Sequence, residues 1–367
     1  MKRLSLLLII LSLIISGCGN ILQDDTIEPE EEGETEISII PSHSLEENQY
    51  KILLPYRPSA ARGSITNQIT NRVDIDELEE GLRRHSINVF SPEKYVFEEG
   101  QYLSTEQIFD LIDSLNPDIK DSSDKKEHEK NPRVFSHILE QNFLERKENR
   151  VDLVGVSIGI SLKSVYRYQT EVGGPYFYED ISEKEMLQEG EKIAQSVLKE
   201  IRATEGLEEI PVMIALFREA EQSSPVPGNF MQKTVVGKGE QKIGKWENIN
   251  EEYILFPSRE AKERYTNDYQ KVKAFSEKID SYFPNYVGVV GTGFYVEDEL
   301  KKLAIEVPIE FYGKGEIIGF TQYVYGIVQE IFANHYDIEV SVYSSEGAES
   351  LIFRDSGEEE PTVHIFH

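Results

Sequence analysis

The stretch 151–162, VDLVGVSIGISL, decides the fold. Its apolar residues are broken mainly by Gly and Ser, and its length suits a buried strand. It leads into a second, aromatic strand, SVYRYQT. On its N-terminal side, Phe135 to Leu144 reads as an amphipathic helix. On its C-terminal side, Ser182 to Glu185 forms a capping box that opens a helix to about Ala203, with Ile193, Val197, Leu198 and Ile201 on one face. Ile210 to Phe217, IPVMIALF, is a further buried strand.

The same order recurs downstream. A helix from Ser258 to Tyr282 precedes the strands YVGVVGTGFYV, from Tyr286, and KKLAIEVPIEFYG, from Lys301. A helix over Gly319 to Phe332 and the strand YDIEVSVY, Tyr336 to Tyr343, close the unit. Two copies are too few for a solenoid. The pattern predicts an α+β fold of two lobes, each an antiparallel or mixed sheet covered by helices. An internal duplication would explain the spacing; chance similarity of two βαβ-like stretches is the alternative.

Outward from these units, the first lobe is expected over 49–235, starting at the short strand in YKILLPYRPSAARGSI. Asp74 to His85 has acids first and bases last, the order a helix dipole favours. Ser104-Thr105-Glu106-Gln107 caps another helix. Asp118 to Asn131 is polar throughout and reads as a surface loop. Residues 220–250, with SSPVPGNF near their head, read as the connection, and the second lobe follows over 236–367, with edge strands from Leu351 to Phe366.

Before the lobes, MKRLSLLLIILSLIISGCGN has a basic start and an apolar run of signal-peptide length, short of the roughly 20 residues that span a bilayer. Ile15-Ser16-Gly17-Cys18 resembles a lipobox, so residues 1–17 are expected to be cut away between Gly17 and Cys18. Cys18 is the only cysteine in 367 residues, which rules out an internal disulfide and leaves lipidation as its expected role. Two acyl chains at about 0.8 kcal/mol per buried CH₂ hold a protein stably where one does not. Asp24 to Glu36, DDTIEPEEEGETE, holds eight acids, so 18–48 reads as an extended acidic tether. The expected location is the extracellular side of the cell membrane. Signal and lipoprotein processing enzymes are then partners.

The net charge of -29 argues against nucleic-acid binding and against adhesion to anionic surfaces. No pair of the seven histidines has ligand spacing, and His85, His128, His137, His335, His364 and His367 read as solvated, so no metal or cofactor is expected. Gly291-Thr292-Gly293 lacks the third glycine and the helix of a phosphate loop. Ser157 lies in a strand, without the turn a nucleophile elbow needs. Two groups remain. Arg57, Arg62 and Arg72 are close together in an acidic chain and suit an anionic partner, or else structural ion pairs. Tyr166, Tyr168, Tyr176, Phe177 and Tyr178, with Phe311, Tyr312, Phe320, Tyr323 and Tyr325, suit stacking on sugars or peptides, or else core.

Several segments together, KILLPYRPSAARG, NRVDIDELEEGL, FSPEKYVFEEGQYL, GVSIGISLKSVYRYQ, SSPVPGNF and FYGKGEIIGFTQYV, resemble the CamS family of Gram-positive sex pheromone precursor lipoproteins. The resemblance implies release of an apolar heptapeptide just upstream of the cysteine. Here that is Leu11, Ser12, Leu13, Ile14, Ile15, Ser16 and Gly17, which lacks an aromatic residue and ends in Gly. For the folded part the expectation is an envelope binding or scaffold protein for a protein, peptide or glycan, not an enzyme. The competing class is an envelope hydrolase whose site forms only on folding.

Overall fold

The computed structural model describes residues 25–27, 38–42, 49–60, 62, 74–148, 150–283, 286 and 288–366. Cys18, Leu11 to Gly17 and Arg72 lie outside the described residues. The chain order is β1 (Asp25–Ile27), β2 (Ser38–Ile40), β3 (Lys51–Ile52), α1 (Ile75–Ser86), β4 (Tyr95–Glu99), α2 (Thr105–Leu115), α3 (Lys125–Lys130), β5 (Phe135–Arg146), β6 (Val151–Leu162), β7 (Val165–Tyr168), β8 (Phe177–Asp180), α4 (Glu183–Ala203), β9 (Val212–Arg218), β10 (Asn229–Val236) and β11 (Glu247–Asn248). It continues with β12 (Glu251–Phe256), α5 (Arg259–Arg264), α6 (Thr266–Asp280), β13 (Val290–Val296), β14 (Glu299–Pro308), α7 (Lys314–Ile331), β15 (Asp337–Ser344), β16 (Gly347–Arg354) and β17 (Thr362–Ile365).

Two large sheets result, ordered β11-β10-β9-β6-β5-β4-β3 and β12-β13-β14-β15-β16-β17. Laid side by side they repeat one plan. In the first, β4-β5, β5-β6, β9-β10 and β10-β11 are antiparallel and β6-β9 is parallel. In the second, β12-β13, β13-β14, β15-β16 and β16-β17 are antiparallel and β14-β15 is parallel. Helix α2 sits in the chain where α5 and α6 do, and α4 makes the parallel crossover that α7 makes. The fold is α+β; β4, β5, β6, β9, β10 and β11 repeat in β12 to β17, while β3, parallel to β4, has no counterpart.

The order read from sequence sets 151–162 against the strand from Tyr286, but these are not the equivalent strands. By topology β6 matches β14, and β5 matches β13. The shift arises because Phe135 to Leu144, read as a helix, is strand β5, paired along its length with β6. Its first ten residues are all buried. With Ser136, His137, Glu140, Gln141 and Asn142 among them, the strand loses the period-2 alternation that would have betrayed it.

Helix α1 causes this double burial. Its N-terminus is capped by Asp74, and Leu78 and Leu82, both fully buried, lie over β6, where the Cβ of an alanine at Gly159 would meet them at 3.4 and 3.3 Å. Each leucine contributes roughly 2 kcal/mol. Helices α2 and α4, both opened by the expected capping boxes, cover the other face. The second sheet has no counterpart of α1, and its strands β14 and β15 alternate buried with exposed positions, as a half-solvated sheet does.

The stretch 118–131 contains helix α3, with His128 buried beneath it. Residues 220–250 are not merely a connection, because β10 and β11 complete the first sheet, which therefore runs on to Asn248. Within 18–48, β1 and β2 pair antiparallel, and Ile39 exchanges backbone hydrogen bonds with Leu54 beside β3 (2.7 and 2.9 Å). Ile40 is buried with Leu53, Val96 and Leu144. The apolar pair Ile39 and Ile40 outweighs the acids there.

The lobes meet through α1 and β12. Glu251, at the head of β12, is buried; its carboxylate accepts from Arg84 Nη2 (3.3 Å) and the Phe230 N–H (3.1 Å), and lies 3.1 Å from His85 Nε2. Arg84 also donates to Glu77 (2.8 Å), which accepts from the Tyr253 hydroxyl, and its guanidinium stacks 4.5 Å from the Phe294 ring centre. Gly81 makes room, since a Cβ there would fall 2.5 Å from the Phe230 ring. Burial pushes the Glu251 carboxyl up, but the His85 hydrogen bond, the Arg84 charge and the Phe230 N–H outweigh it and hold the pKa below the usual range. Burial instead raises Glu77.

A carboxylate with a depressed folded pKa stabilises above its unfolded pKa and loses that contribution as pH falls through the folded value. Glu77, shifted the other way, takes up its proton without such a loss. Glu251→Gln should therefore cost about 2 kcal/mol at neutral pH, because it removes one of the two carboxylates that hold the Arg84 guanidinium and weakens the contact to His85. It should also flatten the acid-side fall in stability, both read by urea unfolding from pH 7 to pH 3.

Candidate functional site

The arginines are gathered on carboxylates. Arg57 Nη2 donates to Glu98 Oε1 (2.6 Å), and Arg62 bridges Glu79 (2.7 Å) and Glu99, with the Tyr56 hydroxyl at 3.2 Å. The Ser59 N–H adds a bond to the same Glu99 (2.7 Å), so the segment after β3 is pinned to β4 by its charges. Both guanidinium groups are committed to acids of the same lobe.

In open sheets, ligands gather outside the carboxyl ends of parallel strands. Here that edge belongs to β6 and β9. Ser161 Oγ donates to Glu219 Oε1 (2.9 Å), and His137 stands across from Ser161 on β5. Burial drives the His137 imidazole down to about 3, and its Nε2 has no hydrogen-bond partner. The Lys163 amine is lowered chiefly by burial, against the pull of Glu219. The residue types suit a hydrolase, yet Ser161 and Glu219 have no accessible surface. As it stands the cluster is a buried polar core in which no substrate can touch the serine. His137, read from sequence as solvated, is buried because it lies on strand β5 and not on a helix, and Glu219 follows a strand end without a motif that would announce it.

Beyond this edge the two copies differ. From β14 the second lobe passes to α7 within residues 309–313, whereas the first inserts the β7-β8 hairpin between β6 and α4. The inner rings of the hairpin are core. Tyr168 stacks on His128 (4.3 Å, 9°), Tyr166 (5.3 Å) and Phe177 (5.6 Å). His128 Nε2 lies 3.0 Å from the Ser122 carbonyl, which can only accept, so Nε2 carries the proton and Nδ1 accepts from the Tyr166 hydroxyl (2.9 Å). His128 is thus a buried strut for the hairpin, not a solvated residue. The outer rings face solvent. Tyr176 is 52% and Tyr178 61% exposed, with the Arg167 guanidinium 4.4 Å from the Tyr176 ring centre. The matching crossover of the second lobe shows one such ring, Tyr312, 86% exposed, while Phe311 packs on the buried Phe320 and Tyr323 on Phe283.

The model of the family described as "CamS sex pheromone cAM373 precursor" matches residues 56–360, nearly all of both lobes. The chain belongs to the CamS family. A sex pheromone precursor from Lactobacillus salivarius subsp. salivarius UCC118 is similar at 29% identity with a TM-score of 0.82, over 89% of this chain and 98% of that one. The C-terminal domain of the sex pheromone staph-cAM373 precursor from Staphylococcus aureus is similar at 28% identity with a TM-score of 0.70, over 80% and 96%. No curated protein matches. For this CamS chain, therefore, both lobes are family property. Among the described residues no helix is long and apolar enough to cross a membrane, and no three His, Cys, Asp or Glu side chains gather as a metal site.

Replacing His128 by Phe keeps a ring in the stack and deletes two hydrogen bonds. Leaving the Ser122 carbonyl and Tyr166 hydroxyl unpaired should cost about 2 kcal/mol and raise proteolysis within the hairpin first. Unchanged cleavage there would mean that His128 does not brace it.

Proposed function

We propose that the chain is a pheromone-precursor lipoprotein with two separable products. The leader is cut between Gly17 and Cys18 and yields the heptapeptide LSLIISG, Leu11 to Gly17. Cys18 then carries the diacylglyceryl group that holds the lobes on the extracellular side of the membrane. The observation that carries this reading is the division of the sequence: the family match begins at residue 56, after a basic, apolar leader that ends in the only cysteine.

The folded lobes act by binding rather than by catalysis. In support, the one serine-carboxylate pair at the carboxyl edge of β6 and β9 is closed to solvent, while the inserted hairpin offers Tyr176 and Tyr178 on a stacked base. Rings with an apolar face and a hydroxyl edge suit a glycan or peptide of the envelope. Arg57 and Arg62, set beside the acids of β4, are with Arg72 the alternative surface for an anionic partner.

Cys18→Ala should abolish lipid labelling, leave the leader uncut and remove LSLIISG from the culture medium as read by mass spectrometry; labelling that persists would refute the anchor. For the lobes, Tyr176→Ala with Tyr178→Ala should lower capture of envelope partners at least about tenfold, whereas replacing the three arginines by Ala should not. The reverse pattern would move the binding surface to the arginines.

A further inference from the structure

The duplication leaves one strand edge bare. In the first sheet β4 is flanked by β3, which runs parallel to it, and the Leu53 N–H carries the ladder on to the Phe97 carbonyl (2.9 Å). The second sheet begins at β12, the strand that matches β4, and among the described residues no strand lies on its outer side. The phase of that edge is fixed. The Glu297 N–H donates to the Asn250 carbonyl (2.9 Å), and bonded pairs alternate along an antiparallel ladder. Ile254 and Phe256 therefore bond to β13, while Tyr253 and Leu255 turn their N–H and C=O groups outward. Among the described residues no other backbone bonds them.

At the end of this edge is a pocket of about 290 Å³. Its apolar walls are Phe256 and Pro257 after β12, Val289 before β13, and Tyr269 and Val272 of α6. The polar groups of the rim are matched among themselves. Lys273 Nζ lies 3.2 Å from the Glu277 carboxylate, and Ser276 Oγ lies 2.6 Å from the Tyr286 hydroxyl. On the same strand, Glu252 accepts from Arg264 Nη1 (2.6 Å) and from the Tyr265 hydroxyl (2.6 Å). With no charge left over, the edge and its pocket suit an uncharged occupant, since a charged one would lose water without gaining a partner.

An open strand edge recruits another extended backbone, and alternate side chains then give the specificity. Here α6 and the pocket lie on one side of the edge and the half-solvated face of the sheet on the other, so the added strand should alternate apolar with polar residues. The heptapeptide of the leader has that pattern and no charged side chain. Leu11, Leu13 and Ile15 fall on one side, and Ser12 and Ser16 with Ile14 on the other. It also matches the six residues of β12 in length.

We propose that the outer edge of β12 binds the heptapeptide Leu11–Gly17 as an added strand, parallel to β12 as β3 is to β4, with Leu13 and Ile15 turned toward α6 and its pocket. The inference rests on the release of that peptide, and it makes the folded lobes a carrier for the product of their own leader.

Titrating the full chain with synthetic LSLIISG bearing an N-terminal fluorophore should give a saturable rise in anisotropy. The synthetic peptide tests binding alone, and the intact mass of the same chain recovered from cells reports separately whether residues 1–17 have been cut away. Leu255→Pro removes one outward N–H and no bond to β13, and should weaken binding at least about tenfold. Ser276→Phe, which fills the mouth of the pocket, should do the same. In the peptide, N-methylation of one alternate set of amides should be as damaging and of the other set harmless, because only one set faces β12. No saturable binding, equal binding of the reversed peptide GSIILSL, equal binding by both protein variants, or equal effects of the two methylated sets would each overturn the proposal. Self-association of the chain that is lost in Leu255→Pro would overturn it as well and give the edge to a second copy.

Discussion

Helix α1 is the element on which both lobes depend. Its apolar side closes the second face of the first sheet through Leu78 and Leu82, and its polar end reaches the half-open second sheet through Arg84 and His85. Glu251 is where these demands meet. A carboxylate buried at the head of β12 is tolerable only because a guanidinium and an imidazole from α1 and a backbone N–H from β10 surround it. The joint therefore fixes the orientation of the lobes as well as their contact, since none of the three donors could move without leaving the charge exposed to apolar surroundings.

The duplicated plan was legible where chemistry is local. Ser104 and Ser182 cap their helices as their side chains dictate, and the apolar runs of β6, β9 and β15 lie in the sheets. It failed where tertiary burial overrides pattern. The row Ser136, His137, Glu140, Gln141 and Asn142 looks like the wet side of a helix, but it is sealed beneath α1 and the loop at 101–103, whose N–H groups bind the Glu140 carboxylate. The joint itself was invisible in the sequence. Arg84 and Glu251 lie far apart in the chain, and among 67 acids no carboxylate announces its partner.

The two copies also separate scaffold from function. Whatever both lobes share is explained by the requirements of a sheet with its crossover helix. What one lobe has alone needs another reason, and the β7-β8 hairpin is such an addition, bringing exposed tyrosines to the edge where parallel strands end. The aromatic residues that sequence alone could not sort into core or surface fall on both sides of this division. Tyr166 and Tyr168 brace, and Tyr176 and Tyr178 face outward. The folded part thus has an aromatic surface of its own.

The central claim is that the buried joint makes one cooperative body from two similar lobes. Scanning calorimetry of the folded chain tests it most directly. A single transition whose van't Hoff and calorimetric enthalpies agree is expected, splitting in two when Arg84 and Glu251 are both replaced by leucine. Two separate transitions in the unaltered chain would contradict the account.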